Sequence, residues 1–174
     1  MNKTNFSHRL SIVAATFLAV FLFGLAPTTA AAQIVALGAS NVQGYGVSSS
    51  EAFPAQLEAM LRAKGKNYSV SNAGVFGDTT SGMLSRLDSA VPSGTRIVVL
   101  AVGGNDARSG ISQLQTRANV QQIGARLAGR GVRVINAQPY LRAAIQGGMT
   151  QSDGIHLNSA GHRSVAAQVA PQIK

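Results

Sequence analysis

Four short blocks of this sequence carry the side chains best suited to chemistry. Ser40 and Asn105 each follow an apolar run that ends in glycine, Gly77 lies in a polar block between them, and His156 stands three residues after Asp153. Hydrolysis by a serine nucleophile needs a base within hydrogen-bond reach, a group that orients the base, and donors aimed at the developing oxyanion. The four blocks offer a candidate for each of these roles.

Elimination among the three histidines favours His156 as the base. His8 lies in the predicted signal peptide at 1–32 and would be removed with it, and His162 falls within the last predicted helix, where it is expected to lie on the helix surface or in helix packing. His156 lies in a loop close to Asp153, which can hold one imidazole nitrogen while the other faces Ser40. His156 is therefore the candidate base.

Alternating strands and helices are the elements that would position these blocks. Apolar runs predict strands at 34–37, 68–73, 96–102 and 132–136, and apolar periodicity with capping residues predicts helices at 53–64, 79–87, 112–130 and 159–169. This order predicts one three-layer α/β/α domain around a parallel sheet. The sheet has four strands, or five if residues 137–157 add one; a short helix at 141–146 is the alternative.

The helix predicted at 112–130 carries apolar residues at near-helical spacing. We expect it to pack through these side chains, which are Leu114, Ala118, Val120, Ile123 and Leu127.

The first 32 residues have the pattern of a cleaved secretory signal peptide. Lys3 and Arg9 precede an apolar run at 10–25, and Ala30-Ala31-Ala32 offers a cleavage site. The mature domain is therefore predicted to span 33–174. The run is shorter than the roughly 20 residues that a membrane span needs, although an uncleaved anchor is the alternative. These features predict a periplasmic or secreted protein with no stable membrane span after cleavage.

Composition excludes several other classes. The formal net charge is +9 at pH 7, but the basic residues are scattered and no nucleic-acid motif is present, so we expect no nucleic-acid partner. Attraction to anionic lipid or polysaccharide is an alternative to a merely basic soluble surface. The absence of cysteine excludes disulfides and leaves no cluster of metal ligands, so neither a metal nor a cofactor is expected.

These blocks resemble the SGNH hydrolases, also called the GDSL lipase/esterase superfamily, and within it the secreted bacterial thioesterase, lysophospholipase and arylesterase group. The resemblance covers nearly all of residues 33–174. It rests on Ser40 in Gly-Ala-Ser-Asn, Gly77 in Gly-Asp-Thr-Thr, Asn105 in Gly-Gly-Asn-Asp, and Asp153 with His156 in Asp-Gly-Ile-His.

The resemblance implies a flavodoxin-like fold and a set of catalytic roles. Ser40 would be the nucleophile, His156 the general base and acid, and Asp153 the residue that orients it. The backbone N–H groups of Ser40 and Gly77, with the side-chain amide of Asn105, would form the oxyanion hole.

The sequence departs from the superfamily pattern in two places. Ala39 stands where the superfamily usually has Asp before the serine, and the segment before Asp153 is shorter than usual. That segment normally carries a fifth strand and part of the acyl-binding wall. Val42 also replaces the second glycine of a G-x-S-x-G elbow, which argues against the ordinary α/β-hydrolase fold.

Three charged residues near the blocks have alternative interpretations. Asp106 could be a second acid, although a loop carboxylate is the simpler interpretation, and Asp78 or Thr79 could cap the following helix. Arg108 could bind an anionic substrate group or simply be solvated.

The sequence thus predicts a secreted serine esterase that hydrolyses carboxylic ester or thioester bonds through an acyl-enzyme on Ser40. Small or aryl esters are the first choice of substrate, and lysophospholipids, acyl thioesters and acylated glycans stay open. The alternative, motivated by Ala39, is a catalytically weakened relative that binds an envelope glycan or lipid. Acyl length, leaving group and oligomeric state have no signal in the sequence.

Overall fold

The computed structural model describes residues 33–174, and the predicted signal peptide at 1–32 lies outside the described residues. Four strands form one fully parallel sheet in the order β2-β1-β3-β4. The strands are β1 (Ile34–Gly38), β2 (Val70–Gly74), β3 (Ile97–Ala101) and β4 (Arg133–Asn136). The two central strands, β1 and β3, are buried along their whole length because helices cover both faces of the sheet.

Helices of different lengths surround this sheet. They are α1 (Ser40–Gln43), α2 (Phe53–Ala63), α3 (Thr80–Ser85), α4 (Leu87–Ala90), α5 (Asn105–Arg108), α6 (Gln113–Gly129), α7 (Gln138–Gln146) and α8 (Ser159–Val169), followed by a 3₁₀ turn at Ala170–Gln172. No helix within residues 33–174 is both long enough and apolar enough to cross a membrane.

Side chains alternate between two cores, one on each face of the sheet. Ile34 and Ala36 of β1 pack with α2, α7 and α8, whereas Val35 and Leu37 pack with α3, α4 and α6. Alternation of this kind follows from the two-residue repeat of a strand. The predicted three-layer α/β/α domain is confirmed.

Capping side chains determine where three of the helices begin. The Thr79 hydroxyl accepts from the Gly82 N–H at 3.1 Å, the Asn158 side chain accepts from the Gly161 N–H at 3.0 Å, and Ser112 caps α6 in the same way. Each satisfies a backbone donor that a helix N-terminus leaves unpaired. Of the two predicted caps for α3, Thr79 is the one used.

Residues 137–157 contribute α7 and no fifth strand. The Ala137 N–H still donates to the Leu100 carbonyl at 2.8 Å, but the chain turns into a helix at the next residue. Pro139 suits a first helical turn because its missing N–H would have no helical partner there. Leu141 and Ala144 then fill the first core, so the helix alternative is correct and begins earlier than predicted.

The predicted packing face of α6 is wrong in its first half. Leu114 is 79% exposed and Ala118 is also exposed, while Ile123 and Leu127 are buried as predicted. The first half of α6 packs instead through polar side chains. Asn119 is buried, and its amide donates hydrogen bonds to the hydroxyls of Thr80 and Ser81, both at 2.9 Å.

Asp106 is the centre of this polar contact. It is only 4% exposed, and it accepts hydrogen bonds from the Thr80 N–H at 2.8 Å, from the Thr80 hydroxyl, and from the Thr116 hydroxyl at 2.8 Å. A buried carboxylate with this many donors joins α3, α5 and α6 rather than reacting with substrate. Asp106 therefore lies in a short helix and is buried in a hydrogen-bonded cluster, which differs from the loop carboxylate expected from the sequence.

His162 of α8 is fully buried. Its Nδ1 accepts from the Phe53 N–H at 3.3 Å, and its Nε2 has no hydrogen-bond partner within residues 33–174. Burial lowers the pKa of His162 from 6.5 to about 4, against a smaller opposing effect of the Glu51 charge. Of the two predicted environments, packing is the correct one.

His162 should make the fold less stable as the pH falls from 6.5 towards 4. In that window the unfolded chain binds a proton at this site and the folded chain does not, so the free energy of unfolding decreases. At about pH 5 this linkage is worth roughly 2 kcal/mol. In His162→Asn, whose amide oxygen can still accept from the Phe53 N–H, the stability difference between about pH 7 and about pH 5 should shrink by that amount in urea unfolding. Equal pH dependence in the two proteins would contradict this assignment.

Candidate active site

The parallel order of the sheet brings three of the predicted blocks to one edge. β2, β1 and β3 are neighbours, and Gly77, Ser40 and Asn105 follow their respective carboxyl ends. Open α/β sheets bind ligands outside the carboxyl ends of their strands, at the point where the strand order reverses, which here lies between β1 and β3. The fourth block, at 153–156, arrives from the loop between α7 and α8.

The side chains of Ser40, His156 and Asp153 form a continuous hydrogen-bonded chain. His156 Nε2 lies 3.1 Å from Ser40 Oγ, and His156 Nδ1 lies 2.5 Å from Asp153 Oδ2. The carboxylate can only accept, so Nδ1 carries a proton and donates it, which leaves the Nε2 lone pair facing the serine hydroxyl. This geometry is that of a serine, a base and an orienting acid.

Asp153 stays ionised because several donors surround it. The His156 side chain is the strongest of them, followed by the backbone N–H groups of Ile155 and His156, which donate to Asp153 Oδ1 at 2.9 and 3.0 Å. Together they lower the pKa of Asp153 from 3.8 to about 2. The carboxylate is therefore an anion at neutral pH and fixes the orientation of the imidazole ring.

Asn41 ties the histidine loop to the serine turn. Its Nδ2 donates to the Ile155 carbonyl at 3.1 Å, and its Oδ1 accepts from the Leu157 N–H at 2.8 Å. These two backbone groups flank His156 on either side, so the amide holds the histidine backbone against the residue next to Ser40. Sequence reasoning missed this role, although an amide directly after the serine was visible.

Asn105 is held by hydrogen bonds at both ends of its amide. Its Nδ2 donates to the Asp78 carbonyl at 2.9 Å, and its Oδ1 accepts from the Arg108 guanidinium at 3.0 Å. A side-chain amide has two N–H donors, so one remains for a ligand. Arg108 thus contacts Asn105, a role that neither of its sequence-based interpretations included.

Besides the second N–H of the Asn105 side chain, two backbone N–H groups are available as donors at the site. The N–H groups of Ser40 and Gly77 donate to no acceptor among residues 33–174. Gly77 has a φ of +72°, a conformation that side-chain-bearing residues rarely adopt, and this explains the glycine. A Cβ there would meet no atom within 4 Å, so the conformation, and not lack of space, selects it.

Arg86 forms hydrogen bonds to the ends of two strands next to the site. Its guanidinium donates to Asp78 Oδ2 at 2.8 Å and to the carbonyls of Ala73 and Gly38 at 2.9 and 3.2 Å. Ala73 is the next-to-last residue of β2 and Gly38 is the last residue of β1, so one half-buried cation binds the strand ends that precede Gly77 and Ser40. The Asp78 side chain therefore serves in this ion pair, and capping of α3 falls to Thr79.

Ala39 is buried and packs into the second core. Its carbonyl accepts from the N–H groups of Val42 and Gln43, both at 2.9 Å, which starts α1 and orients the serine turn. The turn is thus stabilised by backbone hydrogen bonds and apolar packing at the position where the superfamily usually has Asp.

A cavity of about 230 Å³ opens beside Ser40 and Asn105. Leu141 and Ile145 of α7 form its apolar wall, and Arg108 lies at its lining as well. The short segment before Asp153 therefore does supply a wall to the site, as a helix. Within residues 33–174, no group of three or more His, Cys, Asp or Glu side chains could hold a metal ion.

Residues 36–152 match the GDSL-like Lipase/Acylhydrolase family. The chain belongs to this family. The match includes the first three blocks and ends just before Asp153; it confirms the resemblance to the superfamily, and with the relatives below it identifies a hydrolase that acts on ester bonds.

Individual relatives support the GDSL assignment. Esterase TesA of Pseudomonas aeruginosa is 26% identical over 86% of this chain and 92% of its own length. Thioesterase 1/protease 1/lysophospholipase L1 of Escherichia coli is 35% identical over 72% of this chain, and the match spans 55% of that enzyme. A crystal structure of TesA shares the fold with a TM-score of 0.69 at 25% identity, covering 81% of this chain and 97% of the other.

Replacing Asn41 with alanine should lower kcat/KM by roughly tenfold, because two hydrogen bonds that position the histidine loop are lost. Asn72→Ala is a matched control. The Asn72 side chain also makes two backbone hydrogen bonds, to the Gln43 carbonyl at 3.1 Å and the Gly74 N–H at 2.9 Å, but it does not touch the histidine loop. Ester hydrolysis and thermal unfolding of both variants check this; equal losses of activity would argue against positioning by Asn41.

Proposed function

We propose that this GDSL hydrolase is a serine esterase that cleaves carboxylic ester or thioester bonds through an acyl-enzyme on Ser40. The observation that carries the proposal is the 3.1 Å contact between Ser40 Oγ and His156 Nε2, with Asp153 bonded to the opposite ring nitrogen. A nucleophile, a base and an orienting acid in this arrangement can perform acyl transfer without a cofactor.

In the first half-reaction, Ser40 Oγ bonds to the ester carbonyl carbon as its proton passes to His156 Nε2. The carbonyl oxygen becomes an oxyanion, which accepts hydrogen bonds from the N–H groups of Ser40 and Gly77 and from Asn105 Nδ2. His156, now an imidazolium held by Asp153, returns the proton to the leaving oxygen or sulfur. The bond to the leaving group breaks, and the acyl group stays on Ser40.

Water completes the cycle in the second half-reaction. His156 Nε2 removes a proton from a water molecule, whose oxygen attacks the acyl carbon in the same oxyanion site. The tetrahedral intermediate collapses, the proton returns to Ser40 Oγ, and the carboxylic acid leaves. The same five residues serve both halves of the reaction.

The size of the cavity favours small acyl groups. Its volume of about 230 Å³ is below the ~300–1,000 Å³ typical of pockets that enclose drug-sized ligands. Leu141 and Ile145 form part of its apolar lining. Esters of short acyl groups are therefore the proposed substrates. Ester and thioester chemistry is supported by two of the relatives, Esterase TesA and Thioesterase 1/protease 1/lysophospholipase L1.

We also propose that residues 1–32 are a cleaved signal peptide and residues 33–174 the GDSL domain, in a periplasmic or secreted enzyme. The n-region, apolar run and Ala30-Ala31-Ala32 support this. Expression of the full chain in a bacterium, followed by fractionation and N-terminal sequencing, should give a periplasmic or secreted product that starts at Gln33. Recovery of the intact N-terminus in the membrane fraction would indicate an uncleaved anchor.

Ser40→Ala and His156→Ala should each lower kcat for p-nitrophenyl acetate by at least about 10³-fold, because members of a catalytic triad act as a unit. A fluorophosphonate should label the wild type and fail to label Ser40→Ala. Ser49→Ala, a substitution of an exposed loop serine, should leave both readouts unchanged. A folded wild-type protein that neither turns over short esters nor reacts with the fluorophosphonate would instead favour the catalytically weakened binding protein.

A further inference from the structure

Two exposed aromatic rings lie against the imidazole of His156. Tyr45 is 49% exposed and Phe76 is 56% exposed. The ring centroids of Tyr45 and His156 are 4.6 Å apart, those of Tyr45 and Phe76 are 4.8 Å apart, and those of Phe76 and His156 are 6.1 Å apart. Together the three rings form one continuous aromatic surface, and we call Tyr45 and Phe76 the aromatic shelf.

Backbone contacts hold Tyr45 in this position. Its N–H donates to the Ser40 carbonyl at 3.1 Å, and its carbonyl accepts from Gln151 Nε2 at 2.7 Å. Gln151 also bonds the histidine loop, since its N–H donates to the His156 carbonyl at 2.7 Å and its Nε2 to the Leu157 carbonyl at 3.0 Å. The ring is therefore fixed relative to both the serine and the histidine.

Phe76 is placed by the turn that precedes Gly77. The Asp78 N–H closes this turn by donating to the Val75 carbonyl at 3.2 Å. A ring that lies half in water gains little from burial within its own chain. Its position beside the catalytic imidazole therefore points to an apolar surface on the substrate.

The direction of proton transfer decides which part of the substrate meets the shelf. In the proposed reaction, His156 Nε2 returns its proton to the leaving oxygen, so that oxygen lies within hydrogen-bond reach of the imidazole. The group attached to it must extend past the ring. The cavity lined by Leu141 and Ile145 does not include Tyr45 or Phe76, so it is left for the acyl group.

We propose that Tyr45 and Phe76 form a leaving-group subsite that binds planar aromatic alcohols, which makes this GDSL enzyme selective for aryl esters. This inference rests on the proposed function. Offset-stacked and tilted ring pairs with centroids 4.5–7 Å apart are favourable beyond the area they bury, and the exposed rings of Tyr45 and Phe76 can form such pairs with an aromatic ring of the substrate. Acylation then releases a phenol: the Ser40 Oγ–acyl bond forms, the acyl–oxygen bond breaks, and the serine proton leaves on the phenol by way of His156.

Phenyl acetate and cyclohexyl acetate test the shelf because they share an acyl group and differ in the ring of the leaving group. We expect Tyr45→Leu and Phe76→Leu each to lower the ratio of their kcat/KM values about threefold, and the double variant about tenfold. The intrinsic reactivity of each ester cancels when variants are compared. Val75→Ala is the matched control, since Val75 is an exposed apolar neighbour in the same turn but carries no ring.

Deacylation separates a leaving-group subsite from a disturbed oxyanion hole. The phenol has left before water attacks, so the rate of acetyl-enzyme hydrolysis, measured after a pre-steady-state burst, should be unchanged in the shelf variants. An equal loss on both esters and in deacylation would mean that Phe76 acts only through Gly77, and it would overturn the proposal.

Acyl chain length provides the other discriminating comparison. If the shelf held the acyl chain, the losses would grow from phenyl acetate to phenyl butyrate and would be alike for the aryl and cyclohexyl leaving groups, which would overturn the proposal. An unchanged phenyl-to-cyclohexyl ratio would overturn it as well. Failure of the proposed function itself would look different, because the wild type would then hydrolyse neither ester and would not react with a fluorophosphonate.

Discussion

Ser40 Oγ and His156 Nε2 lie 3.1 Å apart although 116 residues separate them along the chain. A contact between such distant residues is only as well defined as the elements that hold its two ends. One end is the serine turn on the central strand β1, and the other is the loop between α7 and α8. Much of the polar structure near the sheet edge connects these two segments or fixes one of them.

The connections are mostly hydrogen bonds from side chains to the backbone. Asn41 brackets His156, Gln151 joins Tyr45 to the histidine loop, and Arg86 binds the carbonyls that end β1 and β2. Such bonds restrain backbone position directly, and they thereby restrain the positions of Ser40 and His156. This arrangement also explains how the serine turn is held with Ala39 in place of an acid.

The two faces of the sheet are stabilised by different means. On one face, α2, α7 and α8 pack through apolar side chains, whereas α6 on the other face meets α3 partly through the buried carboxylate of Asp106 and the amide of Asn119. Buried polar groups are costly when unpaired, so this cluster requires one mutual arrangement of α3, α5 and α6. Because α5 carries Asn105, the cluster also helps to fix the amide that we propose as an oxyanion donor.

The sequence by itself determined the four strands, the extents of α2, α6 and α8 to within a residue, and the order of the four blocks, because apolar periodicity, caps and glycines are local signals. The short helices α1, α4 and α5 were not predicted. Parallel topology then placed the first three of those blocks at one edge of the sheet. Only the tertiary structure decided that residues 137–157 form α7, that the start of α6 packs through polar side chains, and that Asn41, Arg86 and Gln151 bind particular carbonyls. The placement of the exposed rings of Tyr45 and Phe76 beside His156 was also decided only by the tertiary structure. These features depend on partners tens to more than a hundred residues away, and no local pattern encodes which distant backbone group a polar side chain will reach.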